Sequence, residues 1–201
     1  MLIDKLEIRR QALHILVGVI TVLLILSKIL DAKRIFLLII LSGFLSILSK
    51  KYDVPVLCWF LKKFDRPDYR KKFPGRGMVF FFVGTLLVLK LFDLNIALAS
   101  IMVLTLGDSF SHIFGKHIGR IKHPLNGLKS VEGSLLGVVF GFFGALFFVN
   151  FKVAFFGSLV AMFVEGLDLK LSDSPVDDNL IVPLVAGTTM LLVETNFAVF
   201  R

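Results

Sequence analysis

The sequence predicts an all-α fold, a polytopic membrane helix bundle of about seven transmembrane helices with a cytoplasmic N-terminus. Two observations predict this class. First, 56% of the 201 residues are hydrophobic, 22 of them phenylalanine, and the mean hydropathy is +0.86. Second, charged residues fall to 19%, against about 25% in an average soluble domain. No cleavable signal peptide is expected, because the first apolar run has no small-residue cleavage site behind it.

Apolar runs recur along the whole chain, and a spanning helix needs about 20 such residues, or somewhat fewer where the bilayer is thin. We expect spans at residues 11–27, 34–49, 77–92, 94–114, 133–149, 152–166 and 180–196. No connection is long enough to separate two domains. Residues 1–201 are therefore expected to form one membrane-embedded domain.

Lysine and arginine are concentrated in alternate segments between these runs. Seventeen of the 23 lie in the N-terminal segment and in the loops on its side of the membrane. The positive-inside rule places that side in the cytoplasm. We expect a multi-pass protein of the cell membrane, or of the endoplasmic reticulum in a eukaryote, with its functional site facing the cytoplasm. The net charge of +8 is interpreted as attraction to membrane lipids and not to nucleic acid.

The longest basic loop begins with a segment that predicts an amphipathic helix on the membrane surface. In residues 54–64, apolar side chains alternate with Lys62 and Lys63, as in helices that lie in the interface. Together with Lys50 and Lys51, these lysines favour contact with anionic lipid headgroups.

The turn "FPGRG" ends this loop and holds Arg76 between residues that bend the backbone sharply, Pro74, Gly75 and Gly77. Two interpretations of Arg76 stay open. Its guanidinium suits a phosphate group, and it equally suits a snorkelling anchor at the membrane boundary.

The fourth apolar run is too short to span a bilayer. The run from Ile96 to Gly107 comprises only twelve residues, and a helix rises about 1.5 Å per residue. The helix is therefore predicted to continue through "DSFSHIFG". Four polar or small residues of that extension share one helical face: Asp108, Ser111, His112 and Gly115.

Asp108 then lies at the membrane boundary, where an ionisable group costs about 2.5–3.5 kcal/mol and marks a functional site by default. The alternative is an interfacial helix cap. His112, one turn away, is predicted to be the hydrogen-bond partner of this aspartate.

The loop after span four is basic, and a helix is predicted to begin at "KSVEGS". Lys129, the Ser130 hydroxyl and the free amides of a helix N-terminus suit an anion. Ser130 is equally a simple N-cap, and Glu132 a partner of the helix dipole. The further cations of this loop are Lys116, His117, Arg120, Lys122 and His123.

Acidic residues at the ends of spans six and seven fall on the same membrane face as Asp108. They are Glu165, Asp177 and Asp178, with the carboxamide of Asn179. Carboxylates converging from several helices suit magnesium, whereas no zinc spacing of His or Cys is present. We expect Asp108, Asp177 and Asp178 to hold the metal. Helix capping remains the alternative for the last two. Asp168 and Asp173 are expected to be solvated loop residues.

Six segments in this order resemble the CTP-dependent polyprenol kinases, which include dolichol kinase, phytol kinase and the yeast-type diacylglycerol kinase. They are "RRQALH", "FPGRG", "LGDSFSHIFGKHIGR", "LKSVEGS", "VEGL" and "DDNLIVPLVAG", which lie between Arg9 and Gly187. Gln11 departs from the family, which commonly has a lysine there. The resemblance implies transfer of the γ-phosphate of CTP to the hydroxyl of a membrane lipid alcohol, dolichol or another polyprenol.

The resemblance also implies roles for particular residues. Asp108, Glu165 and Lys129 are expected to be catalytic. One of the two carboxylates, Asp108 or Glu165, is expected to accept the proton of the alcohol. Magnesium binds the three aspartates named above. The implied nucleotide-binding residues, besides Lys129, are Arg76, Gly107, Gly115, Lys116, Ser130, Gly133 and Asn179. Arg10, His14 and Glu132 also fall on family motifs.

Two other functions stay open from the sequence. A membrane cytidylyltransferase that forms a CDP-lipid would use the same nucleotide and similar charged groups. A small transporter or scaffold would instead need polar residues along its helices, and the predicted spans are apolar through their middles. The sequence leaves open the lipid alcohol, the choice between CTP and ATP, and the oligomeric state.

Overall fold

A computed structural model describes residues 5–124, 126–167, 170–171 and 174–199, most of which are helical. The helices are α1 (Lys5–Leu26), α2 (Ala32–Lys51), α3 (Pro55–Phe64), α4 (Pro67–Lys72), α5 (Arg76–Leu91), α6 (Leu94–Met102), α7 (Ser109–Ile118), α8 (Val131–Ala145), α9 (Phe151–Glu165) and α10 (Asp178–Val199). The all-α class is confirmed, and the predicted surface helix 54–64 corresponds to α3.

Two short antiparallel hairpins accompany the helices. In the first, β1 (Lys122–His123) pairs with β2 (Asn126–Ser130), so that Lys122 lies opposite Ser130. In the second, β3 (Lys170–Leu171) pairs with β4 (Ser174–Pro175). Each hairpin connects helices that end at the same pole of the bundle. Asp168 and Asp173, predicted to be solvated, lie outside the described residues.

Three helices are long and apolar enough to cross a membrane by length and composition, within the part of the chain that the structure describes. They are Lys5–Leu26, Ala32–Lys51 and Leu94–Ile118, while Val131–Ala145 is apolar but shorter. The remaining predicted spans coincide with α5, α9 and α10. The topology of seven spans with a cytoplasmic N-terminus stays a prediction.

Helix Leu94–Ile118 confirms that span four continues past its apolar run. It joins α6 to α7 through a π-helical segment, Val103–Asp108, and such segments often occur at functional sites. In its apolar window, 78% of the residues are buried, against 11% for Ala32–Lys51. Leu94–Ile118 is thus the central helix, whereas α2 presents exposed apolar side chains outward.

Glycines let α8 pack closely against this central helix. A Cβ atom on Gly137 would lie 2.8 Å from Met162 Sδ, 2.9 Å from the Gly107 carbonyl and 3.0 Å from Ser111 Cβ. Two of these neighbours belong to the central helix. The interpretation of the glycines of α8 as a packing stripe therefore agrees with the structure, and this contact holds the start of α8 beside Asp108.

Gly137→Ala should lower the melting temperature of the detergent-solubilised protein, because the added methyl group meets backbone and side-chain atoms. Overpacking of this kind costs about 1–3 kcal/mol. Gly43→Ala is the matched control, since a Cβ atom on Gly43 of α2 would meet nothing within 4 Å. Equal melting temperatures for the two variants would contradict the packing described here.

Candidate active site

A cavity of about 920 Å³ opens at the pole where the hairpins lie, a size typical of ligand sites. Side chains of α1, α3, α5, α7, β2 and α10 line it. Its charged lining is predominantly basic: Arg10, Arg66, Arg76, Lys116, Arg120, Lys122 and Lys129. Apolar side chains of α1, α3 and α5 form another wall. The cavity therefore suits a strongly anionic ligand group at its basic end and an apolar group at its other end.

Four side chains from distant parts of the sequence converge at the charged end. Asp108, His112, Glu165 and Asp178 each offer one ligand atom, and these atoms lie within 4.8 Å of one another. Asp108 is 7% exposed and Glu165 is 1% exposed. Buried carboxylates this close to one another require compensating positive charge.

Lys129 supplies that charge from the end of β2. Its Nζ donates to Glu165 Oε1 at 2.5 Å and to Asp178 Oδ2 at 3.3 Å. Burial opposes the charge on Lys129, but these two carboxylates outweigh it and hold the pKa of the ammonium group above its usual value. Lys129 therefore stays protonated.

Glu165 lies behind Lys129 and is not among the residues that line the cavity. Its carboxylate also accepts a hydrogen bond from the Ser111 hydroxyl at 3.5 Å. Asp108, in contrast, lines the cavity directly. Of the two predicted proton acceptors, Asp108 is therefore the one that a ligand in the cavity can contact directly.

The donor set of this cluster fits a divalent cation. Oδ1 of Asp108 is buried and has no hydrogen-bond partner among the described residues. His112 Nε2 lies 3.4 Å from that oxygen, within ion-pair distance when the imidazole is protonated. Asp108 and Asp178 offer the carboxylate oxygens that magnesium prefers.

Asp177, also predicted to be a metal ligand, turns away from the cluster. Its Oδ2 accepts a hydrogen bond from Arg76 Nε at 2.9 Å, and its Oδ1 accepts one from Asn179 Nδ2 at 2.8 Å. Burial raises the pKa of Asp177 above its usual value, against the opposing effects of Asn179 and Arg76. The structure thus makes Asp177 the residue that orients Arg76 at the cavity wall.

The other predicted nucleotide-binding residues divide into two groups. Gly115, Lys116, Ser130 and Asn179 line the cavity. Gly107 and Gly133 lie beside it, at contacts between helices. A Cβ atom on Gly133 would lie 2.7 Å from the Ser111 carbonyl, and one on Gly107 would lie 3.0 Å from Met162 Sδ.

The residues at the start of α8 cap the helix and also form part of the cavity wall. Ser130 lines the cavity, and its hydroxyl accepts a hydrogen bond from the Gly133 amide at 3.1 Å, so it is also the N-cap. Glu132 accepts hydrogen bonds from the amides of Arg120 and Ile121 at 3.1 Å and 3.0 Å. It therefore holds the preceding loop against α8.

Glu7 is a buried acid that the sequence analysis missed. It is 4% exposed, and its carboxylate accepts hydrogen bonds from Gln11 Nε2 at 2.9 Å and from Lys116 Nζ at 3.4 Å. Arg10 and Arg66 also form ion pairs with it. The available signal was the spacing of Glu7, Arg10 and Gln11, which places all three on one helical face.

Comparisons with known proteins extend over most of the chain. It is 30% identical over 192 residues to the uncharacterized protein MJ1137 of Methanocaldococcus jannaschii, covering 90% of this chain and 91% of that protein. It is 25% identical over 211 aligned positions to CTP-dependent diacylglycerol kinase 1 of Schizosaccharomyces pombe, covering 94% of each. A match to probable phytol kinase 1 of Glycine max, 34% identical over 105 residues, covers 44% of this chain and 33% of that protein. No family model and no solved structure matches the chain.

Lys129→Met should destabilise the protein, because Glu165 would be left buried without its countercharge. Breaking such a pair costs about 3–5 kcal/mol. The double variant Lys129→Met with Glu165→Gln should recover most of that loss, since neither partner is then charged. Thermal unfolding in detergent measures the stability of both variants. A double variant no more stable than Lys129→Met would refute the pairing of Lys129 with Glu165.

Mn²⁺, a probe for divalent cations, should bind the protein and raise its melting temperature. Asp178→Asn should weaken this binding by at least about tenfold, as measured by electron paramagnetic resonance of free Mn²⁺. Asp93→Asn is the control, because Asp93 lies at the start of α6, is exposed and makes no side-chain cap hydrogen bond. Equal affinity in the two variants would exclude Asp178 as a ligand.

Proposed function

We propose that this chain, which belongs to the same family as MJ1137 of Methanocaldococcus jannaschii, is a CTP-dependent kinase of membrane lipid alcohols. The observation that carries the proposal is one cavity in which a basic end with buried carboxylates adjoins an apolar wall. A nucleoside triphosphate and a lipid alcohol are chemically opposite ligands, and this cavity offers a surface for each.

The names of two relatives support this choice. One is a CTP-dependent diacylglycerol kinase and the other a probable phytol kinase. Diacylglycerol and phytol both carry a free hydroxyl group on a long apolar molecule. We propose dolichol or another polyprenol as the acceptor, and CTP as the phosphate donor.

The phosphates of the nucleotide are proposed to bind the basic end of the cavity. Arg76 is held in place by Asp177, Lys116 by Glu7 and Lys129 by Glu165. Each cation is thus oriented by a carboxylate before a ligand arrives, which reduces the entropy lost on binding. Ser130 and the N-terminus of α8 add neutral donors.

Asp108 and Asp178, with Glu165 and His112 beside them, are proposed to hold magnesium. When bound, the metal neutralises charge that develops on the transferred phosphoryl group. Lys129 already carries positive charge at this place, so the chain itself contributes to the same stabilisation.

In the proposed reaction the oxygen of the lipid hydroxyl attacks the γ-phosphorus. The new O–P bond forms while the bond to the bridging β–γ oxygen breaks, and CDP leaves. The hydroxyl proton passes to Asp108, whose Oδ1 has no hydrogen-bond partner among the described residues. Glu165 acts through Lys129, because that lysine lies between it and the cavity.

The proposed topology accounts for the position of the site. The cavity pole carries the basic loops that the positive-inside rule assigns to the cytoplasm, where CTP is dissolved. A multi-pass arrangement would place the acceptor hydroxyl at the cytoplasmic boundary of the membrane. A cytidylyltransferase would use similar groups but would attack a different phosphorus atom.

Purified protein should transfer phosphate from CTP to at least one alcohol of a panel of dolichol, geranylgeraniol, phytol and diacylglycerol, with ATP as the comparison donor. Asp108→Asn should lower kcat by at least about a hundredfold, the usual contribution of a positioned acid or base, while the protein stays folded in detergent. Asp93→Asn should keep wild-type activity. Undiminished turnover by Asp108→Asn would contradict the assigned role.

A further inference from the structure

We infer that the hydrocarbon chain of the acceptor binds the apolar wall between α1, α3 and α5, with its hydroxyl group hydrogen-bonded to His14. The inference rests on the proposed function, because it names the acceptor subsite of that same cavity. The wall consists of Leu13 and Val17 of α1, Phe60, Leu61 and Phe64 of α3, and Phe81 of α5.

This wall is chemically distinct from the rest of the cavity. Its aliphatic and aromatic side chains offer no hydrogen bond to a ligand. Leu61 is 7% exposed and Phe81 is 2% exposed, so both are set firmly into the fold. A phosphate or a nucleoside gains little from such a surface, whereas each methylene group buried against it contributes about 0.8 kcal/mol.

Helix α3 has the length and composition of a helix that lies at the membrane interface. Its ten residues extend only about 15 Å, too short to cross a membrane. Val56 is 78% exposed and Trp59 is 59% exposed, and Lys63 lies over the Trp59 ring at 4.6 Å. A short helix with an apolar face, a tryptophan and lysines is typical of the membrane interface.

Helix α1 carries exposed apolar side chains as well as side chains that line the cavity. Leu16 and Leu23 of α1 are each 56% exposed, as expected for side chains that contact acyl chains. Leu13 and Val17 of the same helix line the cavity. A chain that leaves the bilayer between α1 and α3 therefore reaches the wall without crossing a polar surface.

His14 lies where the apolar wall meets the charged end. Its ring packs edge-on against Phe81, with the ring centroids 5.5 Å apart. Its Nε2 is buried without a hydrogen-bond partner among the described residues. With its ring proton on Nε2, His14 presents a hydrogen-bond donor to a ligand.

A lipid hydroxyl group fits this position. Its oxygen accepts a hydrogen bond from Nε2–H, its own proton stays available to a base, and its carbon chain continues along the wall. Asp108 interacts electrostatically with His14, so the oxygen would lie close to the carboxylate proposed to receive its proton. His14 thereby orients the acceptor for attack.

Leu13→Trp should block the wall and raise KM for geranylgeraniol by at least about tenfold, with KM for CTP unchanged. Activity toward isopentenol, a short water-soluble prenyl alcohol, should be much less affected. Leu16→Trp, three residues along α1 and exposed, is the matched control and should leave both alcohols unchanged. His14→Phe should lower kcat/KM for both alcohols, and His14→Gln, which keeps a hydrogen-bond donor, should recover part of it.

Photolabelling tests the site without relying on turnover. A geranylgeraniol analogue with a diazirine on its chain should label α1 or α3 residues of the wall, and unlabelled geranylgeraniol should compete. Two results would overturn the acceptor subsite and leave the proposed function standing. They are labelling confined to the outer face of α2, and equal kinetics for Leu13→Trp and Leu16→Trp in an active enzyme. A wild-type protein that labels at the wall but phosphorylates no alcohol would contradict the proposed function instead.

Discussion

The rest of the site depends on the convergence of three carboxylates, two of them buried, around one lysine. Asp108, Glu165 and Asp178 come from three helices, and without Lys129 their repulsion would oppose the packing of those helices. The β1–β2 hairpin carries Lys129 and therefore supplies the countercharge on which the packing of these helices around the cavity depends. The same interaction keeps Lys129 protonated at the place where a phosphate would bind.

Two further cations of the cavity follow the same arrangement. Glu7 holds Lys116 and Asp177 holds Arg76, and both carboxylates lie at helix ends near the cavity. Because Lys116, Arg76 and Lys129 each have a carboxylate partner, these three cations are oriented before an anion binds. The apolar wall formed by α1, α3 and α5 completes a cavity with two chemically different ends. This combination is what a reaction between a dissolved triphosphate and a membrane alcohol requires.

Features set by local chain chemistry could be predicted from the sequence. Composition predicts the helical class, the missing length of span four predicts its extension through Gly115, and Ser130 predicts the start of α8. The extended helix ends at Ile118. Pairings between distant segments could not be predicted this way. Asp177 and Asp178 are adjacent, yet one pairs with Arg76 and the other with Lys129, because successive residues at a helix start point in different directions. The burial of Glu7 and the position of Glu165 behind Lys129 likewise depend on how the helices pack.

The central claim is that this cavity brings a lipid hydroxyl to the γ-phosphorus of CTP. Parallel incubations of the protein, Mg²⁺ and a lipid alcohol with CTP labelled at the α-phosphorus or at the γ-phosphorus test it most directly. The account predicts that lipid extracted from the γ-labelled reaction carries the label, that lipid from the α-labelled reaction carries none, and that CDP accumulates. Label from the α-phosphorus in the lipid, with release of pyrophosphate, would contradict the account and identify a cytidylyltransferase.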